Sequence, residues 1–425
     1  MGEGEHAGMV EERESVGHHR RTYPGPVSET LAPSAAPVRD LAAVCVGIAA
    51  TVIPGFMLGS LYVEMGPDLG FGEATSGGLV AAFFGASAFL SAPLGRWVDR
   101  RGPAFCLRAA LVTSATFQAA IATLGRAVLT VALLALVAGA ANALCQVSAN
   151  VWIARNVAAR RQGLAFAAKQ SSMPAASLVA GLALPLIVGS FGWRWAFAAG
   201  VALAIAAAFA MGSPADEQGS VVDEREAVRG ALRDDAPARK AERGALLSLA
   251  VAAAFSSSAA VTLGSFYVNS AVDAGVVKGT AGVMLAVGSV VSISSRLAAG
   301  SWADRREGAL LGLVAAMLGL GAASYLLFIF GTPWAHVLAL PLAFGAGWAW
   351  PGVFNLSVVR AHPDQPGRAT GITQSGTYVG ATVGPLLFGV VAERWTYDAA
   401  WVLATAIAAG GCLAVLNARR VLTRA

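Results

Sequence analysis

Charged side chains are scarce for a chain of this length. Asp, Glu, Lys and Arg make up only 13% of the 425 residues, whereas 56% of the residues are apolar. Soluble domains carry roughly 25% charged residues, because a surface in contact with water must be covered with polar groups. The composition therefore excludes an ordinary soluble protein and indicates that lipid covers most of the surface.

Residues for catalysis, metal binding or disulfide bonding are also few. The five histidines and four cysteines show neither metal-ligand spacing nor a disulfide framework. The cysteines lie in or beside apolar segments, where free thiols pack as small apolar side chains; they are Cys45, Cys106, Cys145 and Cys412. We find no nucleophile–base pair and no phosphate-binding loop. The chain is therefore predicted not to be an enzyme and to hold no cofactor or metal.

The net charge of +5 does not indicate a nucleic-acid partner. Basic residues lie mainly in short connections between apolar runs, where they set the orientation of a membrane protein. When both termini are placed on one side, most Lys and Arg fall on that side, and only Arg126, Arg194, Lys278 and Arg394 fall on the other. The positive-inside rule then predicts a plasma-membrane protein whose termini and central linker are cytoplasmic.

Long apolar runs dominate the sequence from Leu41 onward. Runs of about 18–26 residues can cross a bilayer as helices, and only a helix satisfies all the backbone groups of a single span in lipid. The runs lie near residues 41–63, 75–95, 103–124, 127–152, 161–188, 194–211, 245–268, 280–302, 307–330, 334–358, 368–391 and 399–417. The sequence thus predicts an all-α membrane protein with 12 transmembrane helices.

Polar segments divide these runs into two groups of six. Residues 1–38 are polar and Pro-rich and are predicted to form a disordered cytoplasmic tail. Residues 212–244 are rich in charge and follow the sixth run, where a linker between domains belongs. The predicted bundles are therefore 39–211 and 245–418, and residues 419–425 form a second cytoplasmic tail.

The two halves of the chain repeat each other. LGSLYV at 58–63 recurs as LGSFYV at 263–268, and GRWVDRR at 95–101 recurs as GSWADRR at 300–306. Chance matches are frequent in helices rich in Ala and Gly, but this register holds through loops as well as helices. Two halves related by a parallel repeat place a substrate near the bilayer midplane between them, which is the geometry of a transporter.

The segment GRWVDRRGP at 95–103 resembles the G-x-x-x-D-R-x-G-R-[RK] signature of the major facilitator superfamily. A degenerate second copy follows the eighth run, although Pro103 and Glu307 depart from the pattern. The resemblance covers about residues 40–418. It implies two pseudo-symmetric six-helix bundles and secondary transport by alternating access. Motifs of drug antiporters and sugar porters are missing, so the resemblance implies no subfamily.

The resemblance also implies a conformational latch in the two signature loops. In the family this loop holds the outward-open state, and a latch of a few kcal/mol is enough to bias such an equilibrium. The alternative is that these charges only fix the topology. The matching residues are Gly95, Asp99, Arg100, Gly300, Asp304 and Arg305.

Lys169 lies within the fifth predicted span. A basic residue near the bilayer centre costs about 2.5–3.5 kcal/mol, so such residues usually face the interior of a bundle. We therefore expect Lys169 to attract an anion in the cavity, with Gln170 beside it. The alternative is a lysine that snorkels to the cytoplasmic surface.

Further polar and aromatic residues in the spans are candidates for the cavity. Asn142, Gln146 and Asn150 repeat at helical spacing and either line the cavity or tie helices together. Tyr62 and Tyr267 occupy repeat-equivalent positions, as gates or as ordinary interfacial tyrosines. The remaining candidates are Trp348, Trp350, Asn355 and Gln374.

Carboxylates are missing from the depths of the predicted spans. Cation exporters commonly use an embedded carboxylate, so the preferred function is a secondary active or facilitative transporter of a small organic anion, such as a carboxylate. The alternatives are a multidrug or metabolite efflux permease driven by proton antiport and, less favoured, a non-transporting membrane sensor. The expected partners are the substrate, the lipid bilayer and, for coupled transport, a proton. The protein is expected to be a monomer.

Overall fold

The computed structural model describes Met1 and residues 38–157, 159–211, 236–306, 310–361 and 366–424. Within these ranges twelve helices are long and apolar enough to cross a membrane, which confirms the predicted number and the all-α class. The helices of the first half are α1 Val38–Ser60, α2 Glu73–Arg101, α3 Pro103–Leu124, α4 Val128–Asn156, α5 Ala159–Ala183 and α6 Trp193–Ala210. Those of the second half are α7 Ala236–Asp273, α8 Lys278–Asp304, α9 Leu311–Phe328, α10a Pro333–Leu342, α10b Pro351–Ala361, α11 Pro366–Arg394 and α12 Tyr397–Arg424.

Two spans are interrupted by π-helical turns. α5 passes into such a turn at Leu184–Val188, where Pro185 lacks the N–H for a helical hydrogen bond. The tenth span has a π-helical turn at Ala343–Gly347, then a non-helical turn at 348–350, before Pro351 opens α10b. Turns of this kind inside helices frequently mark functional sites.

The helices pack as two bundles that face each other. In the first bundle α4 packs on α2 and α3, and in the second bundle α12 packs on α7 and α9. The bundles meet mainly where α2 packs on α11 and where α5 packs on α8. These two contacts are equivalent under the sequence repeat, because α2 corresponds to α8 and α5 corresponds to α11. The interface is therefore pseudo-symmetric, as the repeat predicted.

Some boundaries differ from the sequence prediction. α7 begins at Ala236, inside the segment 212–244 that was predicted to be a linker, and α12 continues to Arg424 through the predicted tail 419–425. Both extensions lie beyond the apolar runs. They are helical because a helix that is already nucleated in the membrane continues into flanking polar residues at little cost. The predicted tail 1–38 and most of the linker lie outside the described residues.

The outer surface of the bundles is apolar. Large side chains such as Phe89, Phe209 and Leu413 are exposed along the spans. In a soluble protein such a surface would be costly, but in a bilayer it contacts acyl chains. The chain is accordingly a multi-pass membrane protein.

The two bundles are joined tightly at one end of the molecule. We call the end where residues 212–235 connect α6 to α7 the linker end, and the opposite end the far end. At the far end the Glu393 carboxylate accepts a hydrogen bond from the Ala74 N–H at 2.7 Å. Lys278 Nζ lies 2.8 Å from Glu64 Oε1 in an ion pair between the halves. These contacts hold the far end closed.

Close backbone contact between α2 and α11 completes this closure. A Cβ atom on Gly77 would meet the Pro385 carbonyl group and lie 3.2 Å from the Leu386 Cα atom. A Cβ atom on Gly389 would likewise meet the backbone of Glu73. Glycine at these two positions lets the helices approach more closely than any side chain permits.

Candidate functional site: a cavity between the bundles

A cavity lies between the two bundles, on the linker side of the closed far end. Its walls come from α2, α4 and α5 of the first bundle and from α7, α8, α11 and the interrupted tenth span of the second. Six predicted residues line it, namely Gln146, Gln170, Trp348, Trp350, Asn355 and Gln374. The cavity volume is about 50 Å³, whereas ligand pockets typically enclose about 300–1,000 Å³. This is therefore a narrow state that must widen to admit a solute.

The break in the tenth span places two tryptophans in the cavity wall. Trp348 and Trp350 lie in the non-helical turn at 348–350, and both side chains are buried. Pro351 has no N–H and favours a helix start at its own position. The break leaves the Trp348 carbonyl in need of a donor from outside its own helix.

Arg296 of α8 supplies that donor. Its Nη2 donates to the Trp348 carbonyl oxygen at 2.5 Å, and its Nη1 donates to the Gln170 carbonyl oxygen of α5 at 2.6 Å. Arg296 is only 3% exposed and lines the cavity. It lies eight residues before the end of α8, which is about 12 Å from the linker end. A guanidinium group is thus buried in the membrane interior and bridges the two bundles.

Two donors of the cavity wall have no acceptor within the described part of the chain. They are Arg296 Nε and Trp350 Nε1, and both atoms are buried. An unsatisfied buried donor costs about 1–3 kcal/mol, and more when it is charged. An acceptor from outside the protein would remove this cost.

Sequence reasoning missed Arg296. It was counted with the basic residues of the linker end, although the run Ser294-Ser295-Arg296 inside an apolar span was a visible signal. Counting its depth from the end of its helix would have identified it. Trp350, in contrast, was among the candidates for the cavity, and it lines the wall.

Lys169 is buried but does not belong to the cavity wall. Its side chain is 6% exposed, and its Nζ donates to Asn150 Oδ1 at 2.7 Å. Among the described residues, no carboxylate forms an ion pair with it. The ammonium group therefore stays inside the bundle and is held by an amide of α4.

The other predicted residues lie away from the cavity wall. Asn142 donates to Ser87 Oγ at 3.0 Å and so ties α4 to α2. Tyr267 lies in the core of the second bundle, where its hydroxyl donates to the His336 carbonyl oxygen at 3.1 Å. Tyr62 lies beyond the end of α1 and packs on Phe71. Burial, followed by the nearby Glu73 carboxylate, raises the pKa of Tyr62, so its hydroxyl stays protonated.

The comparisons with known proteins agree with this architecture. The family profile described as Major Facilitator Superfamily matches residues 43–375. The chain belongs to the major facilitator superfamily. As a member of that superfamily it is a transporter, with twelve spans around a central cavity. A comparison with curated protein sequences finds no match.

Solved structures of several transporters share the fold of this MFS protein. A D-xylose–proton symporter has a TM-score of 0.69 at 15% identity, over 90% of this chain and 96% of its own. The nucleoside transporter NupG has a TM-score of 0.65 at 14% identity, over 89% and 99%. A bacterial homolog of the human lysosomal transporter Spinster, inward-facing and unoccupied, has a TM-score of 0.63 at 15% identity, over 91% and 95%. At these identities the likeness establishes the fold alone.

The signature residues of this MFS protein lie at the linker ends of α2 and α8. Arg100 and Arg305 are exposed. A Cβ atom on Gly95 would lie 3.8 Å from Val147, and one on Gly300 would lie 3.5 Å from Ala167. The side chains of Asp99 and Asp304 lie outside the described residues, so the latch stays a prediction.

Replacing Lys169 with Met tests whether this buried charge serves transport. Met keeps the length of the apolar stem but removes a charge that has no opposite charge beside it. We expect the melting temperature to rise by roughly 2–4 °C, since about 1 kcal/mol of desolvation cost disappears. The sequence prediction that Lys169 attracts an anion adds a second expectation: uptake of an anionic solute into liposomes should fall about tenfold, because the positive potential near the cavity is lost.

The control for this variant is Arg126→Met, which removes an exposed basic side chain at the far end. Among the described residues it forms no ion pair, so the melting temperature should change little. If Lys169→Met melts at a lower temperature and transports anions normally, Lys169 serves only as a structural tie to Asn150.

Proposed function

We propose that this MFS protein is a secondary transporter of a small organic anion, which it carries by alternating access between the two bundles. The observation that carries the proposal is Arg296, a buried guanidinium in the cavity wall whose Nε finds no acceptor among the residues that the structure describes. An anion is the ligand that satisfies a charged donor in a medium of low dielectric constant.

The cavity wall supports an anion over a cation. The described residues that line it include amides, hydroxyls, aromatic rings and one guanidinium, but no carboxylate. A cationic solute would lie beside Arg296 without an opposite charge, which is costly in a bilayer. The same observation weighs against the alternative of a multidrug permease for cations that is driven by proton antiport.

The remaining features of the proposal follow from the distribution of charge. Most Lys and Arg lie at the linker end, so we place the termini and linker in the cytoplasm and the protein in the plasma membrane. We propose a monomer, because each chain contains both bundles and its own cavity. A coupling proton, if one is used, travels on the substrate acid or on a residue at the cavity rim.

Uptake by purified protein in liposomes tests the proposal. The solutes are acetate, succinate and benzoate as anions, benzylamine as a cation and glycerol as a neutral control. We expect accumulation of at least one anion, with no uptake of benzylamine. Uptake of benzylamine alone would overturn the proposal in favour of the alternative function, an efflux permease driven by proton antiport. Binding of an anion without any uptake would instead support a sensor.

A further inference from the structure

The second bundle supplies both unpartnered donors of the cavity wall. Arg296 belongs to α8 and Trp350 to the break in the tenth span. Each side chain is at most 3% exposed. Both groups can donate but cannot accept a hydrogen bond. The ligand that fits them is therefore an acceptor, and a carboxylate is the simplest anionic group that offers one acceptor oxygen to each donor.

Apolar and aromatic side chains form the rest of the wall. Phe84 of α2 and Met173 of α5 line the cavity from the first bundle, and Val261 and Trp348 line it from the second. Phe56 packs behind this wall, with ring centroids 6.2 Å from Phe84 and 5.7 Å from Trp348. An apolar solute in the cavity would cover the apolar surface of these side chains.

The charge of the wall matches a single negative group. Arg296 is the one cation among the described lining residues, and Lys169 is held by Asn150 outside the wall. A second carboxylate on the solute would enter the apolar part of the cavity without an opposite charge, at a high desolvation cost. The aromatic side chains of Phe84 and Trp348 in the wall favour a ring-sized body, because rings pack well against each other.

We propose that the cavity binds a small monocarboxylate with an apolar, ring-sized body. The carboxylate accepts hydrogen bonds from Arg296 and Trp350, and the body packs against Phe84 and Trp348. This inference rests on the proposed function and narrows it from organic anions in general to one class. The second bundle supplies the donors for the carboxylate of the solute, and the first bundle closes over the apolar end of the solute.

Ligand-induced shifts of the melting temperature of the purified full-length protein test this inference. A ligand that binds only the folded state stabilises it by an amount that grows with the logarithm of its affinity, at a fixed ligand concentration. The probes are benzoate, acetate, phthalate and benzamide, which is a neutral analogue of benzoate. We expect benzoate to bind at least about tenfold more tightly than acetate, because of the ring it buries. It should also bind at least about tenfold more tightly than benzamide, because of its charge, and more tightly than the dianion phthalate.

The variant Trp350→Phe tests the proposed hydrogen bond from Trp350 to the carboxylate. Phe retains an aromatic ring but has no N–H, so benzoate affinity should fall about three- to tenfold. The preference for benzoate over benzamide should remain, since Arg296 is present. The control is Trp334→Phe, which alters an exposed tryptophan at the start of α10a and should leave the affinity unchanged.

The outcomes separate this inference from the proposed function. If acetate or phthalate binds as tightly as benzoate, the ring-sized monocarboxylate is wrong while transport of organic anions stands. If benzamide binds as tightly as benzoate, both proposals fail. Unchanged benzoate affinity in a folded Trp350→Phe variant, or no binding of benzoate at all, overturns the proposed binding of the carboxylate by Arg296 and Trp350.

Discussion

Replacing Arg296 with Gln is expected to lower kcat/KM for benzoate uptake by about a hundredfold, equivalent to roughly 2.7 kcal/mol. The substitution removes the charge and the Nε donor that lacks a partner among the described residues. It also weakens the bridge from α8 to the Gln170 carbonyl of α5. Hydrogen bonds to charged groups in a buried site are worth about 1.5–3 kcal/mol, which accounts for this magnitude.

Two further variants serve as a conservative substitution and a control for Arg296→Gln. Arg296→Lys keeps the charge but loses the planar fork, so we expect uptake between that of the wild type and that of the Gln variant. Arg108→Gln is the matched control, because Arg108 also donates to a carbonyl oxygen, that of Met211, but lies outside the cavity wall. Near-normal uptake by a folded Arg296→Gln protein would remove this residue from the binding site.

Replacing Gly77 with Val is expected to lower uptake at least about tenfold by preventing closure of the far end. The new side chain would meet the Pro385 carbonyl group and the Leu386 Cα atom, which belong to backbone and cannot move aside. A destabilisation of the closed state by about 2–3 kcal/mol shifts the equilibrium between open and closed states by one to two orders of magnitude. Spin labels at Ala127 and Val277, one on each bundle, should then report a longer distance at the far end.

Gly78→Val is the matched control for this prediction. Gly78 is the next residue of the same helix, and a Cβ atom placed on it meets nothing within 4 Å. Both variants carry the same cost in helix propensity, so any difference between them measures the contact with α11. Equal uptake and equal label distances in the two variants would show that the α2–α11 contact does not control closure.

Part of the candidate site could be predicted from the sequence. Polar or aromatic residues inside apolar spans were chosen, and six of them line the cavity, namely Gln146, Gln170, Trp348, Trp350, Asn355 and Gln374. The same reasoning also chose Asn142 and Tyr267, which the structure places in contacts within one bundle. A polar residue in a span must find a partner, but the sequence does not say whether that partner is a neighbouring helix or a solute.

Arg296 shows why the rest of the site could not be predicted from the sequence. In the sequence it looks like one more basic residue near a cytoplasmic loop. Its role depends on two carbonyl oxygens that belong to other helices, one of them freed by the break before Pro351. Neither partner is close to Arg296 along the chain, so no local pattern could pair them.

The sequence by itself determined the twelve spans, the duplicated halves and the family, because a bilayer imposes length and apolarity on every span, and a repeat is visible wherever register is kept. Only the tertiary structure decided which end is closed and which buried donors lack an acceptor. Those features depend on the rotation of each helix about its own axis and on contacts between distant segments. Helix rotation is set by packing against neighbours rather than by composition.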